Sequence, residues 1–195
     1  MKIRKVFLLS MVPFLCSLIL LGDSALAEKG KVIESVKVRG DSSWQEWTIA
    51  FSGGEARLKA TWRGKIKEWT LSFSMGEGRI EQVWPDRLSV WRYRIGNDKI
   101  DIKSANLTGW DKWSVTNMKG TTLFVKAPKA GDWENWEITG PLGKMKFSSR
   151  WKYDWKEWDI KDKMKGEDLH LKIAAIFPCI LTKPIFINAM HKKGE

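Results

Sequence analysis

Cysteine and histidine are nearly absent from this chain, with two of each in 195 residues. Cys16 lies in the leading apolar stretch. Only Cys179 remains beyond it, so no intrachain disulfide is available and stability has to come from packing. Its apolar surroundings mark Cys179 as inert. His170 and His191 stand too far apart for metal-ligand spacing, and the chain is expected to bind neither metal nor cofactor. No phosphate-binding glycine loop and no GxSxG elbow occurs. Carboxylates are plentiful, but no pair stands out as acid and base. The expectation is a protein that is not an enzyme.

Apolar runs that approach the length of a membrane-spanning helix are also missing, save one at the start. "MKIRK", then "VFLLSMVPFLCSLILL", then "GDSALA" is the order of a secretory signal, with cleavage expected after Ala27. The apolar part falls short of the ~20 residues of a spanning helix, and Pro13 interrupts it. The expected location is periplasmic or extracellular. Loss of residues 1–27 takes away Lys2, Arg4, Lys5 and Asp23, and lowers the net charge from +11 to +9. A basic exported chain favours anionic envelope surfaces, and export argues against nucleic acid as a partner.

Tryptophan, in contrast, is abundant and regularly placed. Trp47, Trp69, Trp91, Trp113, Trp136 and Trp158 follow one another at intervals of 22, 22, 22, 23 and 22 residues. Two positions after each stands Ile49, Leu71, Tyr93, Val115, Ile138 or Ile160. Eleven positions after each stands Leu58, Ile80, Ile102, Phe124, Phe147 or Leu169. Each unit alternates apolar and polar residues in two arms, which reads as a hairpin with one buried face. Turn residues separate the arms, such as "SGGE", "GNDK" and "KG" at 119–120. With Gly53 and Gly54 at the first turn, Ile49 faces Leu58. Continued around the repeats, this gives one row ending at Phe147, Ile160 and Leu169. In the same register Glu81 lies beside Arg92, Arg94 beside Asp101, and His170 opposite Asp159 on the polar face. "VIESVKVRG" matches a lone second arm, which makes about thirteen strands.

The expected fold is all-β: an antiparallel meander of six Trp-containing hairpins, closed or flattened into a barrel or folded as a β-sandwich. The expected organisation is a signal peptide over 1–27, the repeat domain over 28–173, and an apolar tail over 174–195 that packs on it. Pro178 and Pro184 exclude a central strand for the tail, and no segment sustains a helical period.

A second set of tryptophans stands near the connections between units: Trp44, Trp62, Trp84, Trp110, Trp133, Trp151 and Trp155. Collected at one end of the sheet, they form either a plug or a binding platform, where indole faces stack on sugar rings or sit at a lipid interface. The expected function is an exported, non-catalytic binding or cell-envelope protein whose Trp-rich end holds an envelope glycan or an anionic lipid surface. Two alternatives are a carrier of a lipid or apolar small molecule inside the barrel, and an outer-membrane barrel. The short arms and the densely charged second face speak against the last. The W-x-x-W-x-[IVL] hairpins over residues 32–173 resemble uncharacterised, secreted, Trp-rich β-repeat proteins of bacteria. The GW and WYY pattern of choline-binding repeats and the GxGxxxG rhythm of MORN repeats are missing.

Overall fold

A computed structural model describes residues 30–191, apart from 41–43, 63–64, 75, 86, 107–109 and 153, with backbone alone for 183–191. The signal expected over 1–27 lies outside the described residues.

Twelve strands form a closed antiparallel barrel: β1 (Ile33–Val38), β2 (Glu46–Phe51), β3 (Gly54–Ala60), β4 (Glu68–Phe73), β5 (Gly76–Trp84), β6 (Arg87–Ile95), β7 (Asp98–Ser104), β8 (Lys112–Asn117), β9 (Thr122–Lys126), β10 (Asn135–Gly140), β11 (Gly143–Trp151) and β12 (Asp154–Asp162). Each strand pairs with its neighbours in sequence, and β1 pairs with β12 to close the ring. The sixth hairpin has no second arm of its own. The lone arm at the start of the chain takes that place, so twelve strands suffice where thirteen were expected. Leu169, expected on the missing arm, begins a helix instead: α1 (Leu169–His191).

The apolar face points inward, and the six regularly spaced tryptophans form a belt that is at most 2% exposed. Each has an apolar partner across the ladder: Trp47 with Leu58, Trp69 with Ile80, Trp91 with Ile102, Trp113 with Val125, Trp136 with Phe147, and Trp158 with Val36 across the closure. Smaller or slimmer residues stand on the other side of several indoles. Ala60 faces Trp69, Gln82 faces Trp91, Ser104 faces Trp113 and Ser149 faces Trp158.

Within the hairpins β2–β3, β4–β5, β6–β7 and β10–β11 the register differs by two residues from the expected one. Ile49 faces Ala56 and not Leu58, because Phe51 pairs with Gly54 and the turn is Ser52–Gly53. Gly53 has a φ of 88°, where glycine carries no steric penalty. Between hairpins the expected pairs hold, as in Leu58 with Leu71 and Ile80 with Tyr93, except that Ile138 meets Val125 where Phe124 was expected. The expected register ran perpendicular to the strands without stagger, and an unstaggered ring cannot close as a tilted barrel. A step of two residues per hairpin supplies the stagger. Over six hairpins it accumulates to a shear of about twelve, which fits strands tilted by ~35–45°.

The fourth hairpin shows a second departure. Asn117 and Thr121 flank a three-residue turn, with the Asn117 N–H donating to the Thr121 carbonyl and Gly120 at a φ of 81°. The expected two-residue "KG" turn is therefore one residue short. The extra residue explains the single 23-residue interval, and it flips the second arm. Leu123 and Val125 are buried, and Phe124, expected inside, is 58% exposed.

The outer face carries ionic pairs. Arg92 meets Asp101 at 3.0 Å, Arg94 meets Glu81 at 3.1 Å and Arg79 meets Glu68 at 2.7 Å. Glu81 is the ladder neighbour of Arg92, as the sequence indicates. The ion pairs, however, run to Arg94 and Asp101 rather than in the expected combination. Such exposed pairs stabilise little individually.

Helix α1 enters the barrel from the end where β12 finishes. Asp168 caps it, its Oδ1 accepting the Leu171 N–H at 2.9 Å. From Leu171 through Thr182 every residue is buried, on all sides of the helix. Phe177 lies between Trp69 and Trp91, with ring centroids at 5.8 and 5.2 Å. The tail is therefore a helix, contrary to the sequence reading, and one that is apolar all round shows no 3.6-residue period. Pro178 sits inside it, and the Thr182 hydroxyl donates to the Pro178 carbonyl at 2.6 Å. His170 is not opposite Asp159. Its Nδ1 lies 2.9 Å from the Tyr93 hydroxyl, and its ring meets Phe73 edge-on.

One close approach is testable. A Cβ on Gly78 would stand 2.5 Å from Tyr93 Cε2 and 3.0 Å from the Arg94 carbonyl oxygen. Gly78→Ala is expected to lower stability by about 1–3 kcal/mol, by forcing the Tyr93 ring and its bond to His170 to shift. Chemical denaturation of the purified variant reads this directly.

Candidate functional site at the connection end

All the connections between hairpins lie at one end of a meander barrel, and all seven of the second-set tryptophans are found there. They divide into two groups.

The first group is Trp44, Trp110, Trp133 and Trp155, each three residues before a belt tryptophan. All four are partly buried against the core. Their carbonyls have a structural task. The indole N–H of Trp47 donates to the Trp44 carbonyl at 2.7 Å, Trp113 to Trp110 at 2.8 Å, Trp136 to Trp133 at 3.3 Å, and Trp158 to Trp155 at 2.8 Å. Trp69 and Trp91 do the same with the carbonyls of Ile66 and Leu88. A buried indole N–H without an acceptor carries a desolvation cost, and the repeat satisfies each one by the same local turn. The ring of Trp44 packs on Trp69 at 6.0 Å and that of Trp155 on Trp47 at 5.7 Å. These four pack on the core at the connection end.

The second group is Trp62, Trp84 and Trp151, exposed by 58%, 58% and 60%. All three occupy the same place in the repeat, fifteen residues after Trp47, Trp69 and Trp136. Trp84 and Trp151 end the nine-residue strands β5 and β11. Their hairpins, β5–β6 and β11–β12, continue to the pairs Trp84–Arg87 and Trp151–Asp154 after the ladder slips between Gln82 and Trp84 and between Ser149 and Trp151. Irregularities of this kind re-aim the side chains beyond them. In a ring of twelve strands these two hairpins stand opposite each other.

Two grooves open beside the connections. One, of about 490 Å³, is lined by Trp62, Lys65, Lys67, Glu68, Arg79 and Pro85, among others. The other, of about 570 Å³, runs between Lys129, Asp132, Trp133, Asn135 and Lys152. Lys65, Lys67, Arg87 and Lys129 are exposed and make no ion pair among the described residues.

Elsewhere the reactive groups are sequestered. The Cys179 thiol is buried, and burial pushes its pKa well above the ordinary thiol value, which keeps it protonated. The sequence reading did not single out Lys172 or Asp162, whose side chains are wholly buried and paired at 2.9 Å. Charged side chains rarely lie fully buried unless paired, so the pair marks a structural junction.

No family model, curated protein or solved structure matches this chain.

Proposed function

We propose that this is an exported, non-catalytic protein of the cell envelope that binds an envelope component through the connection end of its barrel. The observation that carries this reading is the exposure of Trp62, Trp84 and Trp151 at one end of a barrel whose other tryptophans are buried or half-buried. Exposed indoles gathered at one end mark an interaction surface. The exposed Lys65, Lys67, Arg87 and Lys129 at this end favour an anionic partner, either a charged glycan or a lipid headgroup layer.

Neither alternative has comparable support. A carrier needs free volume in the lumen, and α1 fills the axis of this barrel with Phe177 wedged between two tryptophans. A membrane-spanning barrel turns apolar residues outward, whereas here they turn inward and the outer face bears ion pairs.

Co-sedimentation with isolated cell-envelope fragments tests the proposal. The protein is expected to pellet with them, and the combined Trp62→Ala, Trp84→Ala, Trp151→Ala variant to stay in solution with an unchanged thermal midpoint. Equal pelleting of the two proteins would remove the connection end as the binding surface.

A further inference from the structure

Building on that reading, we infer that the connection end docks upright on an anionic lipid bilayer, with Trp62, Trp84 and Trp151 as three interfacial anchors. The geometry distinguishes a flat partner from a sugar. A glycan ring stacks on one indole in a concave platform. Here two of the indoles stand on projections.

Strands β5 and β11 run two residues further towards this end than β3 or β7, counted from the belt tryptophan, and β6 and β12 begin three residues earlier than β2 or β8. At ~3.3 Å per residue the two hairpins rise roughly 7–10 Å beyond the others, before allowing for tilt. They carry Trp84 and Trp151 at their tips. A twelve-stranded ring with ~4.8 Å between tilted strands is on the order of 20 Å across, so the two tips are about that far apart. Trp62 follows two residues after the end of β3, two strands from Trp84. All three hold the same place in the repeat, Trp84 and Trp151 at the raised tips and Trp62 two residues beyond the end of β3, so the connection end presents several exposed indoles and not one. No single sugar ring spans such a distance, but a headgroup layer does.

The charge fits the same partner. Each exposed indole has a basic residue within three positions: Lys65 after Trp62, Arg87 after Trp84 and Lys152 after Trp151. Lys67 and Lys129 add to the same end. Indoles prefer the headgroup level of a bilayer, and basic side chains beside them gain from an anionic leaflet. One such contact is weak, and several acting together hold a protein at the surface.

Vesicle binding tests this. The probes are large vesicles of phosphatidylglycerol with phosphatidylcholine, vesicles of phosphatidylcholine alone, and a soluble uronic acid polysaccharide. The expected result is binding to the anionic vesicles, with a blue shift of tryptophan emission and quenching by lipids brominated high on the acyl chain. Trp62→Ala, Trp84→Ala and Trp151→Ala are each expected to weaken binding by roughly tenfold, the effect of withdrawing a partly buried indole. Lys65→Glu with Lys67→Glu is expected to weaken it by at least twentyfold on anionic vesicles and hardly at all on neutral ones. All of these side chains lie outside the core, and circular dichroism checks that each variant keeps the barrel. Binding of the polysaccharide but not of the vesicles, lost in the same tryptophan variants, would overturn the bilayer assignment and leave the connection end as a glycan site. Vesicle binding unchanged in the triple tryptophan variant would overturn both readings.

Discussion

Lys172→Met is expected to destabilise the barrel by about 3–5 kcal/mol, read as a fall in the urea midpoint. The side chains of Lys172 and Asp162 are both fully buried and meet at 2.9 Å. The ammonium also donates to the Lys31 carbonyl at 2.7 Å. The carboxylate accepts the Ile33 N–H at 3.0 Å through Oδ2 and the Met164 N–H at 2.8 Å through Oδ1. These contacts join the start of β1, the end of β12 and the first turns of α1. They therefore sit where the ring closes and where the helix enters. Methionine keeps most of the volume and removes the charge, which leaves the Asp162 carboxylate buried without its counter-ion. Desolvation of that charge, rather than the lost bond, supplies most of the cost. Asp162→Asn is expected to cost less than Lys172→Met. The amide oxygen still accepts one backbone N–H, but the ammonium loses its counter-charge. In the double variant the loss should be smaller than the sum of the two. A purely additive result would mean that the pair does not act as a unit. At the exposed Arg150 the contrast is plain. Asp159 and Glu157 raise its pKa at the surface, where the interaction is screened by water and salt.

The repeat made most of the barrel legible before any coordinates. Trp47 and its five successors are inward because period-two alternation leaves a strand only one apolar face. The pairing of Leu58 with Leu71 follows from a short connection and matching faces. What the repeat could not reveal was the stagger. Rows of identical residue types align best without any offset, and closure imposes one that no local contact reports. Phe124 was misplaced for a local reason, since a three-residue turn and a two-residue turn can both contain "KG". At the candidate site the sequence sets Trp110 three residues before a belt tryptophan and Trp62 after a second arm, but by itself it leaves both a plug and a platform open for each. The structure gives the spacing its meaning, because Trp110 leans on Trp113 and offers its carbonyl to that indole, whereas Trp62 has no belt residue three positions on. Lys172 gave no such signal, since a lone lysine in an apolar stretch is also what a helix end looks like.

Truncation before Leu169 is expected to abolish the native barrel altogether, with loss of the cooperative thermal transition and strong binding of an apolar dye. The reason lies in the width of the ring. Eight strands enclose an interior that wall side chains can fill, and the diameter grows roughly in proportion to strand number. Twelve strands with this stagger give a backbone diameter of roughly 22 Å. A layer of side chains on each side takes up about 5 Å, half the usual spacing of packed sheets. What remains is on the order of 12 Å, the width of one α-helix. The Trp belt alone cannot close that gap, and an empty apolar channel of this size would fill with water or collapse. Helix α1 supplies the missing contents with Leu171, Ile173, Ile176, Phe177, Ile180 and Leu181, all at most 1% exposed. Phe177→Ala removes the ring held between Trp69 and Trp91 and should cost about 3–5 kcal/mol by itself. A truncated chain that still melted cooperatively near the full-length midpoint would show that the wall packs on itself, and the helix would then be a guest in the barrel rather than half of its core.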